Sequence, residues 1–263
     1  MSVTSGLRRH TIGAGHPPGS VEEQLYHETA AGGFSRVDHR MAYLVRVHAL
    51  LEPSMTVLDF GAGRGKWEGD PAPFRRRLGQ LRGKCRRIVG ADVDSAILKN
   101  EQVDERVHLV PGEPLPFPDE TFDMILAFSV FEHVEDPGFY APELTRVLRP
   151  GGWIVAWTPN RSGYVGLLAR LIPRFLHGRV LRLVEPRRHD GDSFIPLYRL
   201  NDRRAFKRYF PKNTFTHYSY TYSGQPFYHA ECIALARMWQ LIFRVSPPTW
   251  QGYWMIILCK KSL

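Results

Sequence analysis

An α/β domain with a mostly parallel sheet is the fold class this sequence predicts, and three observations carry it. Residues 57–65, Val-Leu-Asp-Phe-Gly-Ala-Gly-Arg-Gly, form a short apolar run that stops in three alternating glycines, as a buried strand does on entering a glycine-rich turn. Further strand-length apolar runs follow at residues 88–94, 107–110, 124–129 and 153–157. The chain then closes on a strand, a helix and a strand, at 215–222, 231–244 and 252–260. A chain of 263 residues is long enough for one such domain with a sizeable core, or for one domain carrying an insertion.

From the start of the chain, residues 1–20 are Gly, Ser, Pro and basic residues without an apolar centre, so they read as a disordered tail and not as a signal peptide. Residues 21–51 read as helical, with Met41, Leu44, Val45, Val47, His48 and Leu51 on a mostly apolar face. Ahead of that face lies Gly32-Gly33-Phe34-Ser35-Arg36-Val37-Asp38. The glycine turn itself separates two kinds of ligand. A dinucleotide fingerprint places its third glycine at 66, where this chain has Lys66, with the glycine at 65. Glycines so placed let a ligand approach the backbone. Residues 66–87 hold eight basic side chains against Glu68 and Asp70, and Pro71 and Pro73 forbid a continuous helix after Gly65, so a helix is expected from about 73 to 81.

The second strand ends in Asp92-Val93-Asp94, where a carboxylate can accept hydrogen bonds from both hydroxyls of a ribose. Pro111-Gly112-Glu113-Pro114-Leu115-Pro116-Phe117-Pro118-Asp119-Glu120-Thr121-Phe122-Asp123 leads into the fourth strand. The turn Leu148-Arg149-Pro150-Gly151-Gly152 leads into the fifth. With the glycine turn, these segments over about residues 34–160 resemble, in order, the motifs of class I S-adenosylmethionine-dependent methyltransferases, type 11-like. The resemblance implies a Rossmann-like, seven-stranded, mostly parallel sheet with an antiparallel terminal hairpin and helices on both faces. It also implies S-adenosylmethionine as cofactor. Asp59, Gly61, Ala62, Gly63 and Gly65 would cradle its amino-acid end, and Asp92 with Val93 its ribose. Pro111 stands where many relatives have an acid, which leaves Gly112 and Glu113 to meet the adenine. Ser129 would line the methionine end, and Phe34 and Arg36 are candidates for a lid.

In the same frame residues 161–213 form an insertion that caps the acceptor site, within a single domain spanning 21–263. Residues 165–184 alternate apolar side chains with Arg170, Arg174, Arg179 and Arg182. Such a segment either packs on the core with a solvated basic face or lies on a membrane or polyanion, and the breaks at Pro173 and Gly178 favour packing. Asn201 is placed to cap a helix through Tyr209. A base is needed only where the acceptor must lose a proton. His133, just beyond the fourth strand, is one candidate, and His189 with Asp192 is the other.

Charge and cysteine content bound the partners. With 35 basic and 26 acidic side chains the excess is 35 − 26 = +9, which suits an anionic small-molecule or glycan acceptor, a lipid-linked one included. Residues 32–38, the segment Thr158-Pro159-Asn160 with Gly163-Tyr164, and Tyr198-Arg199-Leu200-Asn201 also resemble bacterial methyltransferases of surface polysaccharide assembly. A nucleic-acid methyltransferase and a cofactor-binding protein without turnover are the alternatives. The absence of an Asn-Pro-Pro-Tyr motif after the fourth strand speaks against methylation of a flipped base. Cys85, Cys232 and Cys259 are too scattered for a disulfide framework or a zinc site, so no metal is expected and a reducing cytosol is the simplest setting, with peripheral contact at the inner membrane face through the basic segment as the variant. No apolar stretch is long enough to span a bilayer; residues 232–243 are short and interrupted by Arg237 and Gln240.

Overall fold

Alternating burial along the first strand decides how the sheet is sandwiched: Val57 points into one layer of core and Leu58 into the other. A computed structural model of the chain describes residues 19–163, 197–227 and 229–262. Its helices are α1 (Val21–Leu25), α2 (His39–Leu50), α3 (Pro73–Gly79), α4 (Pro137–Val147), α5 (Arg203–Tyr209) and α6 (Ile233–Val245). Its strands are β1 (Thr56–Phe60), β2 (Arg87–Asp92), β3 (Glu105–His108), β4 (Phe122–Phe128), β5 (Leu148–Pro159), β6 (Phe215–His217), β7 (Tyr220–Tyr222) and β8 (Tyr253–Lys260). The sheet order is β3-β2-β1-β4-β5-β8-β6, with β7 also on β8. The first five strands are parallel and β8 runs antiparallel to β5.

The predicted fold class is therefore the observed one, with one refinement. The expected strand over 215–222 is split into β6 and β7, both paired with β8, which makes eight strands of the seven positions. At the break the Ser219 hydroxyl, and not a backbone carbonyl, accepts the Ile257 N–H at 3.0 Å. Helical residues 21–51 are likewise interrupted. Gly32 and Gly33 take φ of 128° and 86°, outside any helix, so α2 begins afresh at Asp38, whose carboxylate accepts the Met41 N–H at 2.9 Å. Strand β3 lies two residues earlier than expected. Helix α5 is capped by Asp202, not Asn201. The Asp202 carboxylate accepts both Arg204 N–H and Ala205 N–H at 2.8 Å, while Asn201 sits one residue too early and donates to the Pro159 carbonyl at 3.0 Å.

Beneath α4 and α5 the core is Leu58, Phe60, Ile125, Phe131, Leu144, Phe206 and Phe210. On the opposite face α2 contributes Tyr43, Leu44 and Val47 against Val57, Leu126, Val155 and Trp157. Pro71 and Pro73 do displace the helix after the glycine turn, and Trp67 packs into this second layer beside Leu81. The segment expected to cap the acceptor site, residues 161–213, is described only outside 164–196, and the N-terminal tail only from residue 19.

Candidate functional site

The parallel strands all end at one edge, and β1 delivers the glycine turn there. Gly61, Gly63 and Gly65 have φ of 76°, 51° and 98°. A Cβ at Gly61 would stand 2.4 Å from Val130 Cγ2, so no larger residue fits. A Cβ at Gly63 would meet only the Asp92 carboxylate, at 3.9 Å, which means that the turn leaves open space beside that carboxylate. Gly63 N–H donates to Asp92 Oδ2 at 2.8 Å, and Asp94 N–H donates to Asp92 Oδ1 at 2.8 Å. Asn100 braces the turn from below: its amide donates to the Gly63 carbonyl at 3.0 Å and to the Ala62 carbonyl at 3.4 Å. Open space, a backbone turn and a carboxylate at the strand tip fit an adenosyl ligand with its ribose against Asp92.

A knot of charge lies beside the turn. Burial, and then the neighbouring Asp92 carboxylate, push Asp59 up to about 7, with Lys66 acting in the opposite sense. The Lys66 ammonium sits 4.2 Å from the centre of the Phe128 ring. Its charge also reaches Glu132, whose carboxyl is raised by burial and held by a 2.8 Å hydrogen bond from the Thr158 hydroxyl. His133 Nε2 lies 3.9 Å from Glu132 Oε1, and the ring is partly open to solvent. Ser129 takes φ of 58° and donates its N–H to the Trp157 carbonyl at 2.8 Å, so it turns the chain from β4 toward Glu132 and His133. In the sequence Lys66 stands out only as the residue that breaks a dinucleotide pattern and as one of the eight basic side chains over 66–87. Its place among Asp59, Glu132 and Phe128 appears only once the strands are assembled.

Comparison with known proteins agrees with this geometry. Residues 58–156 match the methyltransferase domain family. That segment, 99 of the 263 residues, is similar to methyltransferase domains. A probable S-adenosylmethionine-dependent methyltransferase of Mycolicibacterium smegmatis is 31% identical over 147 residues, covering 55% of this chain and 49% of that protein. A ubiquinone biosynthesis O-methyltransferase of Rhizobium etli is 32% identical over 147 residues, covering 50% of this chain and 55% of that protein. The chain thus spans about half the length of these relatives. Among solved structures, YcgJ of Bacillus subtilis superposes with a TM-score of 0.53 at 16% identity, over 86% of this chain and 100% of that one. A Methanosarcina mazei S-adenosylmethionine-dependent methyltransferase gives 0.53 at 17% identity, over 83% and 98%.

Around the matched segment the remaining expected site residues divide into three groups. Val93 and Glu113 are exposed near the ribose edge, and Gly112, at φ of 83°, donates to the Tyr140 hydroxyl at 3.4 Å. Of the two lid candidates, Phe34 stacks on Phe74 with centroids 6.0 Å apart, and Arg36 pairs with Glu28 at 3.0 Å. His189 and Asp192 lie outside the described residues.

One residue with no earlier role is His39, at the start of α2. Its ring is buried against Trp157 at 4.6 Å, Phe227 at 5.2 Å and Tyr253 at 5.7 Å, and its Nδ1 has no hydrogen-bond partner. Burial, then the charges of Arg40, Lys66 and Arg75, hold it well below the usual imidazole range and keep it neutral. An ion network fixes the helix that carries it. The Arg75 guanidinium is buried between Asp38 and Asp70, donating to Asp70 at 2.7 Å, and Arg40 reaches Asp70 at 3.1 Å. No single segment announces this cluster, because its members come from five distant stretches.

Proposed function

We propose that this protein methylates a hydroxyl group of a small-molecule or glycan acceptor, using S-adenosylmethionine and His133 as base. The Glu132–His133 pair at the carboxyl edge of the sheet carries the reading. When bound, the cofactor supplies an electrophilic methyl group on a sulfonium. The chain's own residues supply the rest. Asp92 and the glycine turn orient the adenosyl portion, and Asp59 in its ionised form offers negative charge to the cationic end. His133 accepts the proton of the acceptor hydroxyl while Glu132, fixed by Thr158, favours the resulting imidazolium. Holding the acceptor oxygen in line with the S–CH3 bond lowers the barrier by several kcal/mol without further chemistry.

Support for oxygen as the acceptor atom comes also from the Rhizobium etli relative, which is named an O-methyltransferase. The excess of 35 basic over 26 acidic side chains favours an acceptor bearing phosphate or carboxylate. A lipid-linked or nucleotide-linked sugar of surface polysaccharide assembly is the class we favour. The test is transfer of labelled methyl groups to fractionated anionic glycan and lipid-linked extracts, with His133→Asn alongside. That substitution is expected to lower kcat by about 10²- to 10⁴-fold with cofactor affinity unchanged. An unchanged kcat would remove His133 from the mechanism, and labelling of nucleic acid alone would replace the acceptor class.

A further inference from the structure

Helix α6 carries an apolar stripe on a side that the described residues leave uncovered. Only Ala236 of its 13 residues is buried. Leu235, Trp239 and Phe243, at a spacing of one turn, are half-buried on the inner side. On the outer side Met238, Leu241, Ile242 and Val245 are 46%, 62%, 36% and 75% exposed, and Trp250 just beyond the helix is 59% exposed. Five of the twelve exposed large apolar side chains among the described residues thus fall within 238–250. Isolated exposed apolar residues are ordinary, whereas a contiguous stripe marks an interaction surface.

Charge selects the occupant. Arg237 and Arg244 are two turns apart and both exposed, so they line one border of the stripe. From residue 232 to 263 there is no Asp or Glu. An apolar stripe bordered by guanidinium groups, with a tryptophan at one end, is the pattern of a helix lying in a lipid interface. A second copy of the chain would bring the same arginines together with no acid on the helix to pair them. We propose that α6, together with Trp250, docks on an anionic phospholipid surface. The helix is anchored for this: Gln240 donates to the Tyr26 hydroxyl at 2.9 Å, and His229 stands 3.5 Å from Glu22 in the α1 segment. The basic 165–184 segment, for which membrane contact was an expectation, lies outside the described residues, and α6 is a separate surface. Its docking does not depend on which acceptor is methylated.

The test is co-sedimentation of the full chain with vesicles of phosphatidylglycerol and phosphatidylcholine in equal parts, against phosphatidylcholine alone. Binding is expected to the mixed vesicles, to weaken with salt, and to fall about tenfold or more in the double variant Leu241→Asp/Val245→Asp. Arg237→Gln/Arg244→Gln leaves the stripe intact and is expected to lose about fivefold per arginine. Circular dichroism and the thermal midpoint establish that each variant is folded. Failure of the wild type to sediment with the mixed vesicles, or equal sedimentation of wild type and both folded variants, would overturn the proposal. So would a concentration-dependent dimer that Leu241→Asp/Val245→Asp makes monomeric, since the stripe would then belong to a second copy.

Discussion

The cofactor half and the flanking half of this molecule are built by different means. In the cofactor half, β1 to β5, the binding elements are backbone turns and single acids at strand ends, each contained in a segment of a few residues. The flanking half joins residues 19–50 to residues 223–253 through side chains far apart in the chain. Ser35 donates to Gln225 at 2.9 Å, Gln240 to Tyr26 at 2.9 Å, and His39 packs on Phe227 and Tyr253. The matched family segment, 58–156, falls entirely within the first half. Holding a common cofactor calls for one backbone geometry that a short motif can encode, whereas joining segments so far apart calls for side chains that only tertiary packing brings together.

Arg75→Met tests the join between the halves and is expected to have the largest effect. Burial pushes the Asp70 carboxyl up, and the hydrogen bond and charge of Arg75 more than reverse this and hold it below its ordinary value. Removing the guanidinium leaves Asp38 and Asp70 buried without it, at a cost of about 3–5 kcal/mol in urea unfolding. A loss near zero would mean that the remaining contacts of α2, Arg40–Asp70 among them, attach it to the cofactor half without Arg75.

Asp92→Ala tests the cofactor half by itself. Loss of its charged hydrogen bonds is expected to weaken S-adenosylmethionine binding by about 1.5–3 kcal/mol in calorimetric titration, with a lower unfolding midpoint as well because the Gly63 and Asp94 amides lose their acceptor. Equal weakening by Arg75→Met in a folded sample would show that the two halves bind the cofactor jointly, and the contrast between them would narrow.

The remaining test concerns pH and Asp59. Its pKa in the folded protein, about 7, lies above the ordinary 3.8, so between those values the folded chain keeps a proton that the unfolded chain has lost. Stability of the ligand-free protein should therefore fall as pH rises from about 4 to about 7 and level off above, and Asp59→Asn should flatten that slope. Identical pH profiles for wild type and variant would show that Asp59 ionises alike in both states.

Local chemistry made much of this legible beforehand. The glycine turn and the acid at Asp92 encode their conformations over a few residues, so their places at the sheet edge could be read directly. Boundaries were less secure where two local signals compete, as at Asn201 and Asp202, where the neighbouring acid reaches the helix amides and the amide side chain turns to Pro159. Ser219 divided an expected strand for a similar reason, since its hydroxyl occupies the hydrogen bond that the ladder would use.

By itself, then, the sequence determined the order of strands and helices and the ligand-facing backbone of the cofactor half, because glycine conformation, proline breaks and apolar period act at short range. Tertiary structure alone decided that Lys66 faces Asp59 and Glu132, that Arg75 lies between two aspartates, and that His39 is sealed among aromatic rings. Charge and burial depend on neighbours through space, and many of those neighbours, such as Glu132 for Lys66, Asp38 for Arg75 and Trp157 for His39, lie tens of residues or more away along the chain.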